Sequence, residues 1–202
     1  MLIVRKIHFR GVANLEIAEK LLEKNTESQS IASINSASFN YNSEVRFRIA
    51  YFEDQIWLKF YVTEVSIRAK EINVNGTVSK DSCVEFFIST NKIWSYYNFE
   101  FNCIGVCHVG YNSKDERLLI DPAVLKNIKV KTTFGTQSFE EKIGEYHWEL
   151  MAIIPRVCLA YDNGSDLMGL NATANFYKCG DEISTPHYVI WNPIGTIIPD
   201  YH

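Results

Sequence analysis

The sequence predicts an all-β protein: a two-sheet antiparallel β-sandwich, jelly-roll-like or immunoglobulin-like, with one short N-terminal helix. Three observations carry that expectation. Runs of β-branched and aromatic residues recur along most of the chain, which is the composition a pleated, half-buried surface favours. Turn-forming groups, Asn75-Gly76, Asn163-Gly164 and Cys179-Gly180-Asp181, separate several of those runs. Only one segment shows helical periodicity, and many strands with scarcely any helix bury their apolar faces best as two packed sheets.

The helix comes first. Leu15, Ala18, Leu21 and Leu22 fall on one helical stripe, and Asn14 stands where an N-cap belongs. Strands are predicted over 45–52, 56–65, 83–89, 94–105, 128–134, 147–155, 167–177 and 187–191. With no internal repeat and no low-complexity linker, residues 1–202 read as one domain carrying a strand/helix extension over 1–37.

Composition narrows the partners. The chain is 47% hydrophobic and 22% charged, an ordinary globular balance with material for a full core. A net charge of −4 without a Lys/Arg cluster argues against nucleic acid and anionic membrane. Apolar runs fall far short of the ~20 residues a spanning helix needs. No secretory signal is visible at the start, so the chain as it stands reads as cytoplasmic, or as exported if a leader has been removed. Five cysteines at irregular spacing do not suggest a disulfide framework. The N-x-[ST] triplets at Asn75, Asn163 and Asn171 are what chance supplies.

Alternation sorts side chains onto faces. In the 94–105 run, Tyr97, Phe99, Phe101 and Cys103 share the core side, and Trp94, Tyr96, Asn98, Glu100 and Asn102 share the other. The 167–177 run repeats the pattern, with Asn171, Thr173, Asn175 and Tyr177 opposite Leu170, Ala172, Ala174 and Phe176. Trp57, Lys59, Tyr61 and Thr63 form a third row. Asparagine is disfavoured in strands, so two Asn-bearing rows point to an amide-rich, aromatic-bordered surface. The plainer alternative is the solvated outer face that antiparallel sheets normally carry.

Catalytic and metal chemistries find less support. Cys179, Asp181 and His187 lack the paired spacing of a zinc set. Cys103 and Cys107 lie about 13 Å apart if the strand continues at ~3.3 Å per residue, too far for a disulfide, so they read as buried thiols unless Gly105 turns the chain. No nucleophile elbow is present. Glu85 and Glu100 are candidate cross-strand neighbours, and so a candidate carboxylate pair for glycoside hydrolysis. A saccharide, with apolar C–H faces and a rim of hydroxyls, is met by flat rings and by amide or carboxylate groups. Trp191, Tyr201, Trp94 and Tyr96, with Asn98, Glu100, Asn102, Asn175 and His187, supply that equipment.

DSCVEFFI (81–88), YYNFEFNCIG (96–105), HWEL…IP (147–155) and NFYKCGDEISTPHYVIWNPI…PDYH (175–202) resemble the family 9 carbohydrate-binding-module-like domains of Bacteroidetes. The similarity runs from about residue 38 to the C-terminus. It implies a β-sandwich that binds a saccharide or glycan, is not itself catalytic, and belongs to polysaccharide catabolism alongside glycan-degrading enzymes; some members hold structural calcium. The founding modules clamp the end of a sugar chain between two tryptophans, helped by Glu, Arg and Asn. Carried onto this chain, Glu85 matches the Glu, Glu100 stands at the Arg position, Val78 replaces one tryptophan and Tyr201 takes the place of the other.

The expected function is therefore non-catalytic glycan binding. Trp191, Tyr201 and Trp94 are the expected stacking rings, and Glu85, Asn98, Glu100, Asn102, Asn175 and His187 the expected hydrogen-bonding set. Three alternatives stand beside it: an interaction domain that has lost its sugar site through Val78, a haem-binding sandwich using Met151, Met168 or His108, and a glycoside-processing enzyme built on Glu85 and Glu100.

Overall fold

The computed structural model describes residues 1–34, 43–90, 94–162 and 166–195. Two sheets pack face to face. The first joins β1 (Arg5–Lys6), β3 (Glu44–Phe52), β4 (Gln55–Ala69), β10 (Phe139–Pro155) and β9 (Lys129–Thr132) in that order, with β2 (Gln29–Ile31) also paired to β3. The second runs β12 (His187–Ile190), β11 (Thr173–Gly180), β5 (Cys83–Ser89), β6 (Tyr96–Asn102), β7 (Cys107–Asn112) and β8 (Arg117–Leu119). Among the described residues every strand pairing is antiparallel except β1 on β3. This is the sandwich expected from the sequence. Two α-helices are present among the described residues, α1 (Leu15–Asn25) and a single turn, α2 (Pro122–Leu125).

The core is built by the inward rows of both sheets. Phe47, Leu58, Phe60, Trp148 and Leu150 from the first meet Val84, Phe86, Tyr97, Phe99, Phe101 and Phe176 from the second. Phe176 stacks between Phe47 and Phe86. One polar network crosses this interior. Glu64 of β4 accepts a 2.6 Å bond from Trp148 Nε1 and pairs with Lys178 Nζ of β11 at 2.9 Å, both charged side chains having no solvent exposure. Lys178 also donates to Cys179 O at 2.9 Å and lies 2.8 Å from His187 Nε2. An ammonium has no lone pair, so Nε2 must accept, and Nδ1–H then donates to Thr185 O at 3.1 Å.

Helix α1 forms as the stripe predicts. Asn14 Oδ1 accepts from Ile17 N at 2.9 Å, satisfying one of the orphan donors of the first turn. Its buried Ala18 and Leu22 pack on Ala50, Phe52, Trp57, Met151 and Ile153, on the outer side of the first sheet. The expected row Trp57–Lys59–Tyr61 thus lies under the helix and is no ligand surface. Lys59 Nζ is held there by Glu19 (2.7 Å), Glu23 (2.6 Å) and Glu149 (2.7 Å).

Several strand limits differ from expectation. The 94–105 run ends at Asn102 because Gly105, at φ +83 and packed against Val130, reverses the chain into β7. The 167–177 run begins only at Thr173, after Gly169 at φ +79. Short β1, β2 and β8 and the Gly-, His- and Asn-bearing β7 have too little periodicity to be legible. Cys103 and Cys107 are both buried free thiols even though Gly105 turns the chain between them, where the expectation rested on a continuous strand. No helix among the described residues is long and apolar enough to cross a membrane.

Candidate functional site

The outer face of the second sheet carries the amide and carboxylate rows, and strand register arranges them as a grid. Ile190, Tyr177, Glu85, Glu100 and His108 form one cross-strand row over β12, β11, β5, β6 and β7. Asn175, Phe87, Asn98 and Gly110 form the next, and Tyr188, Cys179, Cys83 and Asn102 flank the first on its other side. Apolar groups edge the polar centre. Phe87, Tyr177 and Ile190 gather with Tyr96 and Ile194 at one margin, and Val78, Cys83 and Cys179 with Val106 and Tyr188 at the other.

At the centre, Asn98 Nδ2 donates to Glu85 Oε2 at 3.1 Å and to Glu100 Oε1 at 2.9 Å. Asn98 is 1% exposed, and its Oδ1 has no hydrogen-bond partner among the described residues. Glu85 and Glu100 are 4% and 3% exposed, so they form a floor and not a solvated face. Burial pushes the Glu100 carboxyl well above the usual carboxylate range, and the charge of Glu85 beside it pushes in the same direction. A folded-state pKa raised in this way favours folding fully below the unfolded value, and that contribution is lost as pH rises through the folded value. Glu100→Gln keeps the acceptor for Asn98 and removes the charge. We expect it to stabilise the protein by about 1–2 kcal/mol at neutral pH and by little near pH 4, as read from urea midpoints at both pH values. An equal shift at both would contradict the assignment.

Several expected ligand residues are committed elsewhere. Asn102 is wholly buried: its Nδ2 donates to Glu71 O (2.9 Å) and Asp81 Oδ2 (3.0 Å), and its Oδ1 accepts from Val106 N (2.9 Å). It ties the loop before β5 to the β6–β7 turn and is structural. His187 points into the core against Lys178, because it shares the face of Val189 and not of Tyr188. Trp191 is half-buried and packs edge-on against Phe47 and Phe176, each at 5.5 Å, so it closes the core and is not an exposed platform. Asn175 lies on the outer face, but its amide binds Asn192 O (2.9 Å) and accepts from Asn192 N (3.0 Å), fixing the chain after β12. Tyr201 lies outside the described residues.

Glu85, Asn98 and Glu100 do converge. Trp94 stands at the head of β6, 84% exposed. Its φ of +45 is a left-handed conformation that a bulky residue rarely adopts and that clusters at ligand sites. Val78 is buried against Cys83 and Cys179 in a loop folded over the sheet. That loop is fastened by Glu71, which accepts from the backbone of Ile72, Asn73 and Thr77, and by Asn75, which bonds Val109 N and Ile120 O.

The remaining candidates separate. Met151 is buried under α1, Met168 is exposed, and His108 sits on the outer face with Nδ1 3.0 Å from Gly76 O, so no axial haem pair forms among them. Cys179 and His187 lie on opposite faces of their sheet, so the Cys179–Asp181–His187 zinc set is not assembled. Cys179 instead meets Cys83 and Glu85, a neighbourhood that strand pairing creates and that sequence reasoning missed. Calcium needs converging oxygen ligands. Asp81 and Glu71 are taken up by N–H donors, the Glu19–Glu23–Glu149 cluster by Lys59, and Asn98 Nδ2 sits between Glu85 and Glu100. None of these groups fits calcium. Two surface depressions of about 410 Å³ each lie away from this face, along β1 and the β3–β4 turn. They bring together mixed charges and no array of rings with amides.

The sequence matches the model of carbohydrate-binding family 9 over residues 16–202, a span that includes most of α1. Among solved structures it is similar to a protein of Bacteroides uniformis described as a candidate carbohydrate-binding protein, with 37% identity and a TM-score of 0.93 over 97% of this chain and 91% of that one. It also shares the fold of a family 9 carbohydrate-binding module of Caldicellulosiruptor kristjanssonii solved with cellotriose, at 12% identity and a TM-score of 0.57 over 94% of this chain and 83% of that one. No curated protein matches the sequence.

Proposed function

The chain belongs to carbohydrate-binding family 9, and we propose that it holds a saccharide without transforming it, over the outer face of its second sheet. The observation that carries this reading is Trp94. A tryptophan exposed to 84% and held at positive φ, at the head of a strand whose outer row continues Tyr96, Asn98 and Glu100, is a costly arrangement for folding alone. It is well suited to stacking on the C–H face of a pyranose. The half-buried Tyr96 continues the apolar margin, and the buried Glu85–Asn98–Glu100 network forms a rigid polar floor beneath it. The resemblance assigns Tyr201 the role of second stacking ring. Binding without catalysis agrees with the closed floor: one amide engages both carboxylates, and neither is open to an attacking water.

Affinity electrophoresis across soluble glycans, backed by a glycan array, tests the proposal. Retention by at least one glycan is expected, with a loss of tenfold or more, about 1.4 kcal/mol, in Trp94→Ala. The melting temperature of that variant is expected to stay unchanged, because the ring is exposed. Turnover of chromogenic glycosides is not expected. Binding left intact by Trp94→Ala, or no retention by any glycan, would remove the support for this site.

A further inference from the structure

Three side chains on the outer sheet face have no part in the saccharide reading as a group. Cys83 of β5 and Cys179 of β11 are direct cross-strand partners, and Glu85 lies two residues along β5 on the same face. Their donor atoms all fall within 4.8 Å of one another, and all three side chains are buried. We propose that Cys83, Cys179 and Glu85 form a binding site for a thiophilic divalent cation of the zinc class.

Geometry comes first. A tetrahedral zinc with Zn–S of ~2.3 Å and Zn–O of ~2.1 Å places its donors roughly 3.5–3.8 Å apart, inside the 4.8 Å within which these donors already lie. The ligand set is selective as well: two sulfurs favour zinc-like ions over calcium or magnesium. Glu85 is already oriented as a ligand. Asn98 Nδ2 holds its Oε2 at 3.1 Å, while its Oε1 accepts the Cys179 thiol at 2.9 Å, so the cation replaces that thiol proton. An outer amide that fixes a ligating carboxylate is the usual support of such sites.

Binding involves no redox change. Each thiol releases one proton to solvent as its metal–sulfur bond forms, and the two thiolates, one carboxylate and dication leave a net charge of −1. The other acidic cluster, Glu19–Glu23–Glu149, does not compete, because Lys59 already fills it. Cys103, Cys107 and Cys158 lie in the core cluster, apart from this pair. Glu85 is shared with the floor of the proposed saccharide site, and the cobalt readout below does not require a glycan.

The reduced 202-residue chain, titrated with Co²⁺ as a spectroscopic stand-in for zinc, provides the test. One equivalent is expected to produce a thiolate-to-cobalt charge-transfer band and the intense visible absorption of tetrahedral cobalt. Added Zn²⁺ should displace both. Cys83→Ser and Cys179→Ser should each abolish the bands, whereas Cys158→Ser keeps them, and thermal melts of each variant confirm folding. Should a cysteine variant fail to fold, the wild-type charge-transfer band and its displacement still decide. A reduced, folded chain without charge-transfer absorption overturns the site. So does a chain whose two thiols are recovered only as a cystine and which binds no metal after reduction.

Discussion

Lys178→Met lowers the stability of the protein by about 3–5 kcal/mol, the cost of leaving a buried carboxylate without its partner. Glu64 and Lys178 bridge the two sheets at 2.9 Å with neither side chain reaching solvent. With the ammonium gone, Glu64 keeps only the Trp148 Nε1 hydrogen bond at 2.6 Å, and its charged form is disfavoured by burial. Glu64→Gln in the Lys178→Met background retains the acceptor for Trp148 and should recover most of the loss. Urea denaturation of the single and double variants at pH 7 checks this. A single variant within about 1 kcal/mol of wild type would mean that the pair contributes no more than a surface ion pair.

The second large effect is loss of stability on acidification through His187. Burial strips the imidazolium of water and the Lys178 ammonium 2.8 Å away repels it, which holds its pKa down at about 2. In the unfolded chain a histidine titrates near ~6.5. Between these values the unfolded state takes up a proton that the folded state refuses. Stability is therefore full above about pH 6.5 and falls as pH drops, by ~1.4 kcal/mol per pH unit, reaching a loss of about 2–3 kcal/mol by pH 4.5. His187→Gln keeps a side-chain acceptor for Lys178 and cannot titrate, so its stability profile should be flatter over this window. Parallel profiles for variant and wild type would locate the acid sensitivity elsewhere. Glu100 works in the opposite direction, since its raised pKa makes acid pH favourable to folding. The Glu100→Gln and His187→Gln variants separate the two contributions.

Much of the fold was legible because strand periodicity is local. Tyr97, Phe99 and Phe101 alternate with Asn98, Glu100 and Asn102, and the structure puts the two sets on opposite faces. Glu85 and Glu100 do face each other across β5 and β6. The stripe of α1 and its Asn14 cap were equally readable, since a helix contacts itself at three- and four-residue spacing. Less of the site was legible. His187 was read among the ligand residues because the parity of a four-residue edge strand depends on its partner, and pairing with β11 turns it toward Lys178. Trp191 has no local signal that distinguishes a core plug from a platform. The Cys83–Cys179 neighbourhood required knowing that β5 and β11, whose paired cysteines lie 96 residues apart, are neighbours, which no nearby spacing encodes.

The sequence by itself determined the all-β character, the strand faces, the amphipathic helix and the identity of the carboxylate–amide row on β6, since each follows from alternation and propensity within one segment. Tertiary structure alone decided what covers each face. It laid α1 over Lys59, buried Asn102 beneath the loop after β4, and left Trp94 exposed at the rim. Alternation assigns a side chain to a side of its strand; whether that side meets solvent, a helix or another sheet depends on contacts between segments distant in the chain.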